Sequence, residues 1–140
     1  MKKIFNVLIL LVLIFSLSGC LKRDSMEDIT IYTTNYPAYY ITKRLYGKFS
    51  KVKSIYPNGV NIDDYSLTSK QIKDYSSANL FIFNGLSKEK KYVDKMRANN
   101  KKLKIIDTTL SMEYTYDMCE LWLDPSNLLM MAQNIESGHD

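Results

Sequence analysis

Residues 68–85 read TSKQIKDYSSANLFIFNG, and this stretch decides the architecture. Thr68 with Gln71 three residues later forms a capping box, in which each side chain satisfies a backbone N–H that the first helical turn leaves unpaired. Ile72 and Tyr75 follow at helical spacing, so a helix runs from here and stops before Asn79. Residues 80–83 are apolar at every position, odd and even alike. A strand with no polar face lies under helices on both sides, which is the condition of a central strand in a parallel sheet. Asn84 and Gly85 then supply the residues a turn demands.

Working outward from this unit gives more of the same kind. Ile29, Ile31 and Thr33 alternate with Thr30, Tyr32 and Thr34, a β-branched run bounded by Asn35 and Pro37 that reads as a first strand. Tyr36, Tyr40, Ile41 and Leu45 recur at helical spacing, and Gly47 stands where a left-handed C-terminal residue is expected. Residues 52–56 make a second strand, stopped by Pro57, Asn58 and Gly59, and residues 61–67 form a loop. A helix over 88–99 leads to a fourth strand over 103–106. A last helix starts at Ser126, just after Pro125, with Leu128, Met131, Ala132 and Ile135 on its inner face. The order β-α-β-α-β-α-β defines the fold class as α/β. It predicts a single lobe with a four-stranded parallel sheet flanked by helices, because parallel neighbours need crossovers that helices provide. Ligands of such sheets gather at the carboxyl ends of the strands, which lead here to Asn35, to residues 57–64, to Asn84 and Gly85, and to Thr108 onward.

The amino terminus is of a different kind. Lys2 and Lys3 precede an apolar run over 7–17, too short for a spanning helix and suited to a signal peptide. Small residues then lead to Cys20, in the pattern of a lipobox whose cysteine thiol receives a diacylglyceryl group. The expected division is a lipoprotein signal peptide over 1–19, a lipidated tether over 20–28 and a folded lobe over 29–140, on the extracytoplasmic face of the cell membrane. With Cys20 acylated, Cys119 has no disulfide partner in a chain of 2 cysteines. About 120 residues remain after cleavage, enough for one modest core.

The formal charge of +4 falls to +2 once Lys2 and Lys3 are removed. Lys88, Lys90, Lys91, Lys101, Lys102 and Lys104 flank element starts without interleaved aromatics, so they read as a solvated face and no nucleic-acid partner is expected. Enzyme chemistry is not expected either: the chain shows no nucleophile with a histidine base, no phosphate loop and no closed metal motif.

Four segments, in order and spacing, resemble the zinc and manganese binding lipoproteins of ABC importers. They are residues 32–37, the Pro57 to Ile72 loop and helix, residues 80–85, and residues 121–125 with Gln133 and Asn134. The resemblance implies half of a two-lobed periplasmic-binding-protein-like fold, whose lobes are joined by a long helix and share a metal between two ligands from each. It also implies an ABC transporter permease as partner and a divalent metal ion, Mn or Zn, as the transported ligand. Only the first lobe is matched, so one copy supplies half of that ligand set.

Where the family has its two first-lobe histidines, this chain carries Asp63 and Glu120; its one histidine is His139. Carboxylates are hard ligands that favour manganese, magnesium or calcium over tight zinc binding. Asp63 and Glu120 are therefore the candidate metal ligands, and Cys119 could add a soft thiolate or be a small buried residue. Other roles stay open at each position. Asp63 and Asp64 suit a turn that satisfies its own backbone donors, Glu120 suits a surface, Asp124 suits a helix cap, and Trp122 suits the core. Tyr36, Tyr39, Tyr40 and Tyr65 could line a cleft or serve as half-buried packing. Two functions from other classes compete with metal import: a surface adhesin or interaction module that kept the fold but lost the metal site, and a truncated product missing its second lobe.

Overall fold

The computed structural model describes residues 26–112 and 118–138. Its elements are β1 (Thr30–Thr33), α1 (Tyr36–Tyr46), β2 (Lys51–Ser54), α2 (Ser69–Ser76), β3 (Leu80–Phe83), α3 (Lys90–Asn99), β4 (Lys104–Asp107), a 3-10 helix (Met118–Leu123) and α4 (Pro125–Ser137). The four strands pair in parallel in the order β2-β1-β3-β4. Ile31 lies opposite both Val52 and Leu80, and Ile82 opposite Ile106. The chain goes from β1 out to β2 and then returns across β1 to β3, so the order reverses between β1 and β3. Such a switch point opens a crevice at the carboxyl edge.

The alternation of side chains along the strands builds two cores, one on each face. Ile31, Val52, Leu80, Ile82 and Ile106 meet Ala38 and Ile41 of α1 and Met131 and Ile135 of α4. Phe81 and Phe83 meet Ile72 of α2 and Tyr92, Val93 and Met96 of α3. Every residue of β3 is buried, as a strand covered on both faces requires. Each large apolar side chain so enclosed contributes about 1.5–3 kcal/mol.

Capping follows the sequence closely. Thr68 and Gln71 form both halves of the capping box, Asn35 accepts the Ala38 N–H at the head of α1, and Asp124 accepts the Ser126 N–H at the head of α4. Two details differ from expectation. Gly47 ends α1 with φ −65°, in the right-handed region. Its N–H continues the helix to the Lys43 carbonyl at 3.0 Å, and a Cβ there would collide with that carbonyl. Gly47 is needed for close approach, not for handedness. The left-handed glycine is Gly59, with φ +79°, in the turn after β2. Strand β2 also ends earlier than its apolar run, because the Tyr56 N–H turns aside to Ser54 Oγ at 3.1 Å.

Among the described residues, no helix is long and apolar enough to cross a membrane.

Candidate metal site at the carboxyl edge

Asn61 organises the loop that carries the first candidate ligand. Its side-chain oxygen accepts the Asp63 N–H at 3.1 Å, its amide donates to the Asp64 carboxylate at 2.6 Å, and its carbonyl accepts the Tyr65 N–H at 3.1 Å. Lys88, just ahead of α3, donates to the Asp63 carbonyl and ties the loop above the end of β3. Asp64 thus serves the turn through its side chain. Asp63 serves it only through its backbone, and its exposed carboxylate accepts no hydrogen bond among the described residues.

The second candidate, Glu120, lies on the 3-10 helix with Cys119. That helix precedes α4 on the other layer of the sheet. Trp122 fixes it there, half-buried against the α1 and α4 core and edge-on to Tyr36 at 6.2 Å. Tyr36 begins α1, so this helix also stands at the carboxyl edge. The fold therefore brings the Asp63 loop and the Glu120 segment to one edge from opposite layers. Among the described residues, no three histidine, cysteine, aspartate or glutamate side chains gather as a metal-holding group. Cys20 and His139 lie outside the described residues.

Between the two candidates, the ends of β3 and β4 are locked by Asp107. Its Oδ1 accepts the Gly85 N–H at 2.8 Å, the Thr109 N–H at 2.9 Å and the Thr109 hydroxyl at 2.8 Å. Asn134 of α4 donates to the carbonyls of Thr108 and Leu110 at 2.9 and 3.0 Å. A Cβ on Gly85 would overlap the Asp107 carboxylate. Gly85→Ala is expected to break this junction and lower stability by about 1–3 kcal/mol, with the amide resonances of Gly85 and Thr109 shifting most; unchanged resonances would show that Asp107 does not hold the two strands together.

Sequence reasoning missed Glu89. It is 1% exposed, one carboxylate oxygen accepts the Tyr56 hydroxyl at 2.8 Å, and the other has no partner among the described residues. Burial, with the Glu89 carboxylate beside it, pushes the Tyr56 phenol well above its ordinary range. Set between Lys88, Lys90 and Lys91, Glu89 carries no signal of burial in its pattern; only the inward turn of the chain before α3 conceals it. The buried Thr34 hydroxyl, just past β1, likewise has no partner among the described residues.

The tyrosines divide. Tyr36 and Tyr40 are exposed at 61% and 45% and stack on each other at 6.0 Å. Tyr39 packs against the first core. Tyr65 is half-buried, edge-on to Tyr56 at 5.7 Å, and accepts the Gln71 side-chain amide at 2.8 Å.

A four-stranded parallel sheet with a switch point at its carboxyl edge is an architecture that lobes of substrate-binding proteins share. Residues 31–139 match the family described as ZnuA, zinc-uptake complex component A, periplasmic, and the chain belongs to that family. Its members are substrate-binding proteins of ABC transporters and not enzymes. The chain is 35% identical over 94 residues to the manganese ABC transporter substrate-binding lipoprotein PsaA of Streptococcus pneumoniae, covering 64% of this chain and 30% of PsaA. It is 32% identical over 125 residues to a Thermotoga maritima protein, covering 89% of this chain and 42% of that one. Among solved structures, Zn(II)-bound AdcA from Streptococcus pneumoniae superposes with a TM-score of 0.68 at 23% identity, over 80% of this chain and 26% of AdcA. FpvC from Pseudomonas aeruginosa, in complex with Mn2+, gives 0.65 at 18% identity, over 78% of this chain and 42% of FpvC. The chain spans less than half the length of the curated relatives it matches.

Proposed function

We propose that this chain is the extracytoplasmic, lipid-anchored solute-binding component, or one lobe of it, of an ABC importer for divalent metal ions. Cys20 carries the lipid, residues 20–28 form the tether, and residues 29–140 form the lobe that meets the permease. The ion is a hard cation such as manganese, held weakly by Asp63 and Glu120. The observation that carries this reading is the position of the Asp63 loop and the Glu120 segment. They stand at the same carboxyl edge, from opposite layers, in a member of a family whose relatives are named for manganese and zinc. Carboxylate oxygens match manganese better than they match zinc, which prefers imidazole and thiolate.

Titration calorimetry with Mn, Zn, Mg and Ca tests the reading. Manganese is expected to give a binding isotherm, and at a hundred times its Kd it adds about 2.7 kcal/mol to stability, a rise in Tm of roughly 10 °C. The double variant Asp63→Ala with Glu120→Ala is expected to abolish both effects while leaving the apo Tm within about 2 °C. Absence of heat from all four ions at millimolar concentration, with unchanged Tm, removes the metal assignment. One observation favours the interaction-module reading in that event: Leu123, next in the chain to Trp122, and Leu129 of α4 stand 58% and 60% exposed.

A further inference from the structure

The two edges of the sheet differ in charge, and the tether emerges at the basic one. Met26 is buried. It is held where it leaves the fold: Ser50 Oγ donates to the Met26 carbonyl, and the Asp28 N–H donates to the Phe49 carbonyl at 2.8 Å. Phe49 itself is 56% exposed, with Leu45 of α1 close to it in the chain and 38% exposed. These residues lie at the amino edge, where β2 begins at Lys51 and the loop before β4 carries Lys101 and Lys102, all exposed along with Lys48. Glu27 and Asp28 are the acidic residues beside the tether. The opposite edge bears Asp63, Asp64, Asp107 and Asp124, with Lys88 among them.

We propose that the amino edge, with Phe49, Lys48 and Lys51 at its β2 end and Lys101 and Lys102 at its β4 end, rests on the anionic lipid surface to which the chain is anchored, and so holds the acidic carboxyl edge away from the bilayer. The proposal rests on the lipid anchor at Cys20. Five residues separate Cys20 from the pinned Met26, and the six extended Cα steps between them span at most about 20 Å. The amino edge therefore stays near the headgroups whatever the orientation. Lysines within a Debye length of an anionic leaflet are drawn to it, and an exposed aromatic ring beside Lys48 and Lys51 suits the interface. An acidic edge is repelled by the same surface.

The test uses the mature lipoprotein reconstituted in vesicles of phosphatidylcholine alone or with one-third phosphatidylglycerol, each carrying headgroup-depth spin-labelled lipid. The chain has 1 tryptophan, Trp122 at the carboxyl edge, which serves as one reporter. Phe49→Trp in a Trp122→Phe background serves as the other. The amino-edge reporter is expected to be quenched at least threefold more on phosphatidylglycerol vesicles than on neutral ones, and Trp122 on neither. Lys48→Glu with Lys101→Glu and Lys102→Glu, all at exposed positions, is expected to abolish the difference while circular dichroism and vesicle flotation stay unchanged. Equal quenching on both vesicles, stronger quenching of Trp122, or protection of the Phe49→Trp reporter by a second copy of the chain overturns the proposal. Failure of the anchor itself is distinguishable: the protein then does not float with neutral vesicles at all.

Discussion

Phe81→Ala lowers the unfolding free energy by about 3–5 kcal/mol, the largest loss expected from a single side chain here. Phe81 is wholly buried, stacks on Phe83 at 6.0 Å with the rings 7° apart, and sits on the strand whose two neighbours hydrogen-bond to it from both sides. Its ring projects into the α2 and α3 layer, and main-chain pairing stops the surroundings from collapsing into the space left behind. Small domains hold about 5–15 kcal/mol in total, so this one change removes a large share and drops the Tm by more than 10 °C. Leu129→Ala, at an exposed position on α4, is expected to stay within about 0.5 kcal/mol. Urea unfolding of both variants decides the matter, and a loss under 1 kcal/mol at Phe81 would contradict a strand covered on both faces.

Tyr56→Phe acts through charge instead of volume. The substitution keeps the ring but takes the hydroxyl from Glu89, whose other oxygen already lacks a partner among the described residues. A buried carboxyl left with neither oxygen bonded costs about 3 kcal/mol at neutral pH. The effect has a definite pH dependence. Tyr56 is raised above its ordinary value in the folded state, so the fold favours the protonated phenol. That preference is fully present below the unfolded value of about 10. Above it the unfolded state releases the proton while the native state keeps it, and stability falls as pH rises. The gap between wild type and Tyr56→Phe should thus be widest near pH 7–9 and narrow steadily above pH 10. Paired denaturant curves at pH 8 and pH 11 measure it. A gap that is constant or grows would mean that the phenol ionises no less readily in the fold than outside it.

The framework was legible because it is written in local chemistry. The Thr68 and Gln71 box and the all-apolar residues 80–83 each need only a few neighbouring residues to be understood and lie where expected, and α4 starts at Pro125, one residue ahead of the expected Ser126. Boundaries slipped where a side chain captured the backbone, as Ser54 does at the end of β2 and Asn84 does before α3, accepting the Leu86 N–H at 3.0 Å. The handedness of Gly47 was misjudged because glycine serves close approach as well as positive φ, and a sequence does not tell the two apart. At the site, Asp63 and Asp64 look alike in sequence, yet Asn61 engages only the second carboxylate. The buried pairing of Tyr56 with Glu89 spans 33 residues, and nothing in the periodicity of either segment links them.

Among the described residues, the order β2-β1-β3-β4 leaves two strands with an unpaired row of amides and carbonyls. Open rows of this kind are templates on which further chains can add, and they are the usual starting point of fibrils. Here Lys51 and Lys53 punctuate one of them and Lys104 the other, all solvent-exposed, and neither strand exceeds four residues. Where copies crowd side by side, these cations set like charges against each other and oppose the zipping of neighbours into a continuous ribbon.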